Sequence, residues 1–170
     1  MLKAFRGVLP KVADSAFIVE SAVVIGDVEI GAQSSLWFNV VVRGDVNFIR
    51  IGARTNIQDG SVVHVTHERH STRIGDDVTI GHNVTLHGCR IGNRCLVGMG
   101  AVIMDGCRIG DDSMIAAGAL VVPGTVVPSG TLFAGSPAKQ KRLLSDSEIH
   151  FLKQSAENYL GYVKLYLDSE

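Results

Sequence analysis

An aliphatic residue returns at close to every sixth position along most of this chain. The anchors are Ile18, Val24, Ile30, Leu36 and Val42, then Ile51, Ile57 and Val63, then Ile74, Ile80 and Leu86. They continue through Ile91, Val97, Ile103, Ile109, Ile115, Val121 and Val127. Glycine often follows the anchor, as at Gly31, Gly52, Gly75, Gly92 and Gly98, and a small or β-branched residue often stands four positions on, as at Ala22, Ser34, Thr55, Ala101 and Ala119. A period this short leaves no room for a helix in the unit; it fits one short strand and one corner. Three units close a triangular coil of about 18 residues, and stacked coils form a parallel β-helix. Glycine at a corner supplies positive φ without steric cost. The expected fold class is therefore an all-β solenoid.

The remaining composition agrees and narrows the setting. The chain has 170 residues, 19 glycines and 6% aromatic residues, a mixture suited to many short strands with tight corners. A net charge of −1 gives no electrostatic case for nucleic acid or an anionic membrane. Cys89, Cys95 and Cys107 make no even disulfide set and fall on or near the small corner positions, where packing thiols are expected. No secretory signal and no membrane-length apolar run stand out, so a soluble, cytoplasmic protein is expected.

After Pro137 the period changes. Ser145 and Glu148 form a capping box, and Ile149, Leu152, Ala156, Tyr159, Leu160 and Val163 then recur at helical spacing. The expected organisation is one domain, with residues 1–140 as the β-helix and 141–170 as a C-terminal α-helix packed along it.

The frame slips twice before Leu86. Val42 to Ile51 is nine residues and Val63 to Ile74 is eleven, the second excess holding the polar run H-E-R-H-S-T-R at 67–73. If each excess is a corner loop, Val42, Val63 and Leu86 anchor one face on successive coils. The residues that follow them, Arg43, His64 and His87, then form an outward column about 4.8 Å apart per coil. Two imidazoles at that spacing can share a metal with bonds of roughly 2.0–2.1 Å. The preceding face carries Gln58, Asp59 and His82, around a corner, so His82 is badly placed for its own chain's pair. If three prisms associate side by side, one chain's His64/His87 face meets another's His82 face, and such a heterologous contact closes as C3. Three histidines with an open position make the ligand set of a catalytic zinc. The bland alternative is surface histidines with corner polar groups at Arg43, Asp45, Asn56, Gln58 and Asp59.

Residues 13–135 resemble the hexapeptide-repeat superfamily, [LIV]-G-x-x-[STAV]-x, which implies a left-handed coil. The chain resembles the γ-class carbonic anhydrases in R-G-D at 43–45, N-I-Q-D at 56–59, H-V-T-H at 64–67, I-G-H-N-V-T-L-H-G-C at 80–89 and F-A-G-S-P-A-K at 133–139. The resemblance implies a homotrimer with a metal at each subunit interface, bound by His64 and His87 of one chain and His82 of its neighbour. Zinc is the usual metal, with iron or cobalt as alternatives. It implies reversible hydration of carbon dioxide to bicarbonate by a metal-bound hydroxide, with Gln58 orienting that hydroxide and Arg43, Asp45 and Asp59 holding the interface. Asn56, within the same motif, and Tyr159, on the helix, complete the candidate set; packing is the alternative role for Tyr159.

Two glutamates of the family's proton-transfer route are replaced, by Val46 and by His67. His67, Glu68 and His70 are the remaining shuttle candidates, with solvated loop residues as the alternative. Two competing functions follow. One is a metal-binding relative with little hydratase activity. The other is a CoA-dependent acyltransferase or thioesterase, since G-S-P-A-K at 135–139 resembles segments lining CoA sites.

Overall fold

Strands mostly two or three residues long alternate with turns and stack in parallel on the strand one coil away. A computed structural model describes residues 1–169 and shows a parallel β-solenoid closed by a C-terminal helix. Each anchor series forms one inward ladder. Ile18, Leu36, Ile57, Ile80, Val97, Ile115 and Phe133 pair rung by rung on the first face. Val24, Val42, Val63, Leu86, Ile103 and Val121 do so on the second. The third holds Ile30, Ile51, Ile74, Ile91, Ile109 and Val127. Nearly all of these side chains are buried in one core that runs the length of the prism. The period thus reports one aliphatic side chain per side of each coil.

Both slips leave the ladders in register, as the face count required. The first is not a separate loop. Val41–Ile51 is one continuous strand that turns the corner, and Gly26 pairs with Gly44 while Val28 pairs with Ile49, so the extra residues bulge between them. The second is a loop closed by a bridge between Thr66 and His70. A third irregularity was not anticipated. Leu86 to Ile91 spans only five residues, and Ile80 consequently pairs with Val97, 17 residues on. Gly88 makes this short corner possible at φ 57°.

The glycines that follow anchors serve a different purpose from the one expected. They do not have positive φ. An added Cβ on Gly31 would lie 2.5 Å from the Gly52 carbonyl oxygen of the next coil. They are present because backbones of successive coils approach too closely for a side chain. The positive-φ corners are shared between other glycines, such as Gly100 and Gly118, and residues such as Asn83 and Asp112.

Thr131–Gly135 ends the parallel stack, and Ala138–Leu143 returns antiparallel to it. The helix Asp146–Leu167 then begins with the capping box of Ser145 and Glu148 in place. Arg142 forks onto Glu148 with two contacts of 2.7 Å, fixing the entry. Leu152, Ser155 and Ala156 are buried, while Tyr159, Leu160 and Val163 are half-buried. Ile149 is exposed, so the packed stripe starts a turn later than its periodicity suggests. The three cysteines are buried and free, and burial pushes the Cys95 thiol up to about 12. No helix among the described residues is long and apolar enough to cross a membrane.

Candidate metal centre

His64 ends the strand Val62–His64, His87 ends Thr85–His87, and the two are paired in register. Strand alternation turns both rings outward, because Val63 and Leu86 before them are fully buried. The rings meet edge to face, with His64 Nδ1 3.2 Å from His87 Nε2.

Each ring's other nitrogen faces a carboxylate. His64 Nε2 donates to Asp45 Oδ1 at 3.0 Å, and His87 Nδ1 lies 3.1 Å from both Asp105 oxygens. Burial raises the Asp45 carboxyl, but hydrogen bonds from His64 and Arg43 outweigh it and hold the group below the usual carboxylate value. Burial also raises Asp105, and hydrogen bonds from Thr66 and His87 outweigh it in the same direction. Both carboxylates are therefore acceptors, which assigns the tautomers. With those donations made, the facing atoms His64 Nδ1 and His87 Nε2 both carry lone pairs. Two lone pairs so close repel unless a proton or a cation lies between them. Tetrahedral zinc with bonds of about 2.0–2.1 Å needs ligand nitrogens about 3.3 Å apart. The observed 3.2 Å matches, so the donor set fits a divalent metal.

His82 lies elsewhere. It sits in the turn after Thr79–Ile80, on the other sheet, with Nδ1 2.7 Å from Asp59 Oδ2. The ring is half-exposed, and among the described residues its Nε2 meets no hydrogen-bond partner. Among the described residues of one chain, no three His, Cys, Asp or Glu side chains gather into a complete cation site. All three histidines thus have the same arrangement, a carboxylate on one nitrogen and a lone pair on the other. That carboxylate–histidine pairing is how proteins orient metal ligands.

Gln58 and Asn56 are buried beside the His82 face. Gln58 Nε2 donates to Asn56 Oδ1 at 3.1 Å, and Asn56 Nδ2 donates to Thr79 Oγ1 at 3.0 Å. Thr79 in turn meets Ser155 on the helix at 3.0 Å. The helix therefore braces the Gln58 amide through a buried polar chain. Tyr159 packs edge-on against Trp37 and lines a cleft of about 300 Å³ with Asp59, Tyr162 and Tyr166. Burial, with the charge of Asp59 and with Tyr162, pushes its hydroxyl up to about 12. Val46 packs against the core, and the Glu68 amide donates to its carbonyl at 3.4 Å. His67 and Glu68 are exposed on that loop, whereas His70 is half-buried.

Asp105 is the site residue that sequence reasoning missed. The available signal was a carboxylate 18 residues after His87, one coil further on. Asp105→Asn keeps the shape and removes the acceptor charge. It is expected to weaken zinc affinity about 10–100-fold, measured by competition with a chromogenic chelator.

Residues 88–123 match the family model described as bacterial transferase hexapeptide (six repeats), the class that the repeat and the solenoid define. Within it, the chain belongs to the γ-class carbonic anhydrase family. It is 55% identical to a probable carbonic anhydrase of Methanocaldococcus jannaschii over 148 residues, covering 87% of this chain and 91% of that one. It is 50% identical to gamma carbonic anhydrase 1, mitochondrial, of Arabidopsis thaliana, over 88% of this chain and 56% of that longer protein. A solved structure of a putative acetyltransferase from Bacillus cereus is also similar. It is 38% identical with a TM-score of 0.96, over 99% of this chain and 98% of that one.

Proposed function

We propose that this protein is a metal-dependent carbonic anhydrase that works as a trimer, with His64 and His87 of one chain and His82 of its neighbour as ligands. The observation that carries the reading is the pair of facing imidazole nitrogens 3.2 Å apart, each ring held from behind by a carboxylate. A divalent metal bound there supplies a Lewis acid that brings the pKa of a water to about 7. Asp45, Asp59 and Asp105 hold the three imidazoles in the tautomer that leaves the ligand nitrogen bare. Arg43 keeps Asp45 ionised and in place. Gln58, its amide nitrogen committed to Asn56, keeps Oε1 as an acceptor to orient the attacking water beside carbon dioxide. Asn56 is a positioning residue, and Tyr159 closes the apolar side near Asp59. A proton must leave for turnover, and His70, His67 and Glu68 on the 66–70 loop are the groups available to carry it.

The test is stopped-flow carbon dioxide hydration on protein reconstituted with zinc, iron or cobalt. Hydration that vanishes with a chelator and returns with metal supports the reading. Metal binding without hydration favours a family member that has lost the activity. Acetyl-CoA turnover that ignores the chelator favours the acyltransferase reading suggested by the Bacillus cereus structure.

A further inference from the structure

Half of the ten arginines pair with carboxylates, some of them on the next coil. Arg54 meets Asp77, Arg94 meets Asp112, Arg43 meets Asp45 and Arg142 meets Glu148. The third face breaks this habit. Arg50, Arg73, Arg90 and Arg108 pair in register on four successive coils, one residue before the buried anchors Ile51, Ile74, Ile91 and Ile109. They form an outward column of like charges about 4.8 Å apart per rung. Arg50 is neutralised by Asp27 and Glu29, and Arg73 lies over the Phe48 ring at 4.6 Å. Among the described residues, Arg90 and Arg108 meet no carboxylate and no aromatic face.

These two side chains are not spread on a flat surface. With Arg69, His70 and Ser71 they line a cleft of about 280 Å³, walled by the loop that the Thr66–His70 bridge closes. The nearby carboxylate, Asp105, is already occupied by Thr66 and His87. Adjacent like charges on a ladder are mutually unfavourable unless a counter-charge lies between them. The guanidinium fork matches phosphate oxygens two at a time, and a single carboxylate or bicarbonate would satisfy one rung and leave the other. The concavity fits a small molecule better than an extended polymer.

We propose that this cleft binds a small molecule carrying a diphosphate group, with one phosphoryl group on the Arg90 rung and one on the Arg108 rung. Arg69 closes over the outer side and the Ser71 hydroxyl donates to an inner oxygen. The site is on the face that begins beyond His87; it shares His70 with the 66–70 loop but does not rest on the carbonic anhydrase reading. The net charge of −1 conceals it, because a sum over the whole chain does not show where the charges lie.

The test is calorimetric titration of the full chain with inorganic pyrophosphate and, separately, orthophosphate at low ionic strength. Because pyrophosphate also chelates metal, the titration is repeated with the His64→Ala/His87→Ala double variant. The expected result is one saturable site per chain, with orthophosphate about tenfold weaker or more. Arg90→Gln and Arg108→Gln should each weaken pyrophosphate about tenfold or more, while Arg54→Gln and the double histidine variant leave it unchanged. Both cleft arginines are exposed, so the fold tolerates their loss, and an unchanged melting temperature confirms it. Absence of saturation at millimolar pyrophosphate, or unchanged affinity in both cleft variants, overturns the proposal. Loss of binding in the histidine variant overturns it as well, and equal affinity for the two anions overturns the two-rung assignment.

Discussion

His87→Ala is expected to abolish metal retention and to lower carbon dioxide hydration about a thousandfold or more, since the Lewis acid is worth several kcal/mol at the transition state. His87 supplies one of the two nitrogens of the facing pair, and His64 alone offers a divalent ion no second point of attachment in its chain. The fold should persist, because the ring projects outward and is about a third exposed while the neighbouring Leu86 carries the packing. Metal content after dialysis, hydration by stopped flow and the circular dichroism spectrum check the three parts together. Metal-free hydration at the wild-type rate would rule out a metal-dependent reaction, and stoichiometric metal in the variant would rule out His87 as a ligand.

Leu86→Ala is expected to cost about 2–5 kcal/mol, because Leu86 is fully buried between Val63 and Ile103 on the inner ladder. For a chain of this size that lowers the melting temperature by roughly 5–15 °C. The cavity would open beneath His64 and His87, so the spacing of their nitrogens should loosen and metal affinity should fall with stability. Val126→Ala is the control: that side chain is largely exposed and its loss should stay within about 0.5 kcal/mol. Thermal melts of both variants test the claim. A Leu86→Ala protein as stable as the control would mean that the coil interior is not close-packed.

The fold was legible because its constraint is local and repeated. A triangular coil admits one aliphatic side chain per side, so the anchor spacing carries the register even through the slips at Val42–Ile51 and Val63–Ile74. The five-residue step at Leu86–Ile91 is countable in the sequence, but only the pairing of Ile80 with Val97 shows that the coil closes one residue short. The reason for Gly31 and its equivalents was hidden too, since the approach of one coil's backbone to the next exists only after stacking. Ile149 was misplaced because a helical period says which residues share a stripe, not where the solenoid wall begins to cover it.

In the candidate site, the column of Arg43, His64 and His87 followed from register and strand alternation alone. The carboxylates behind the rings were less visible. Asp45 and Asp59 stood in recognisable motifs, whereas Asp105 is one of several corner aspartates and only its contact with His87 distinguishes it. The arginine ladder was invisible for a different reason: a summed charge says nothing about which charges are already paired.

A metal site shared between two chains can be rebuilt from two complementary inactive variants. His82→Ala and His87→Ala chains should each be inactive alone. Refolded together in equal amounts, they should recover about one quarter of wild-type hydration. In a closed ring, chance puts intact His64 and His87 beside an intact neighbouring His82 at about one site in four. Recovery near that fraction, with metal bound in proportion, is the result expected here. A mixture no more active than its two parents would contradict the shared site.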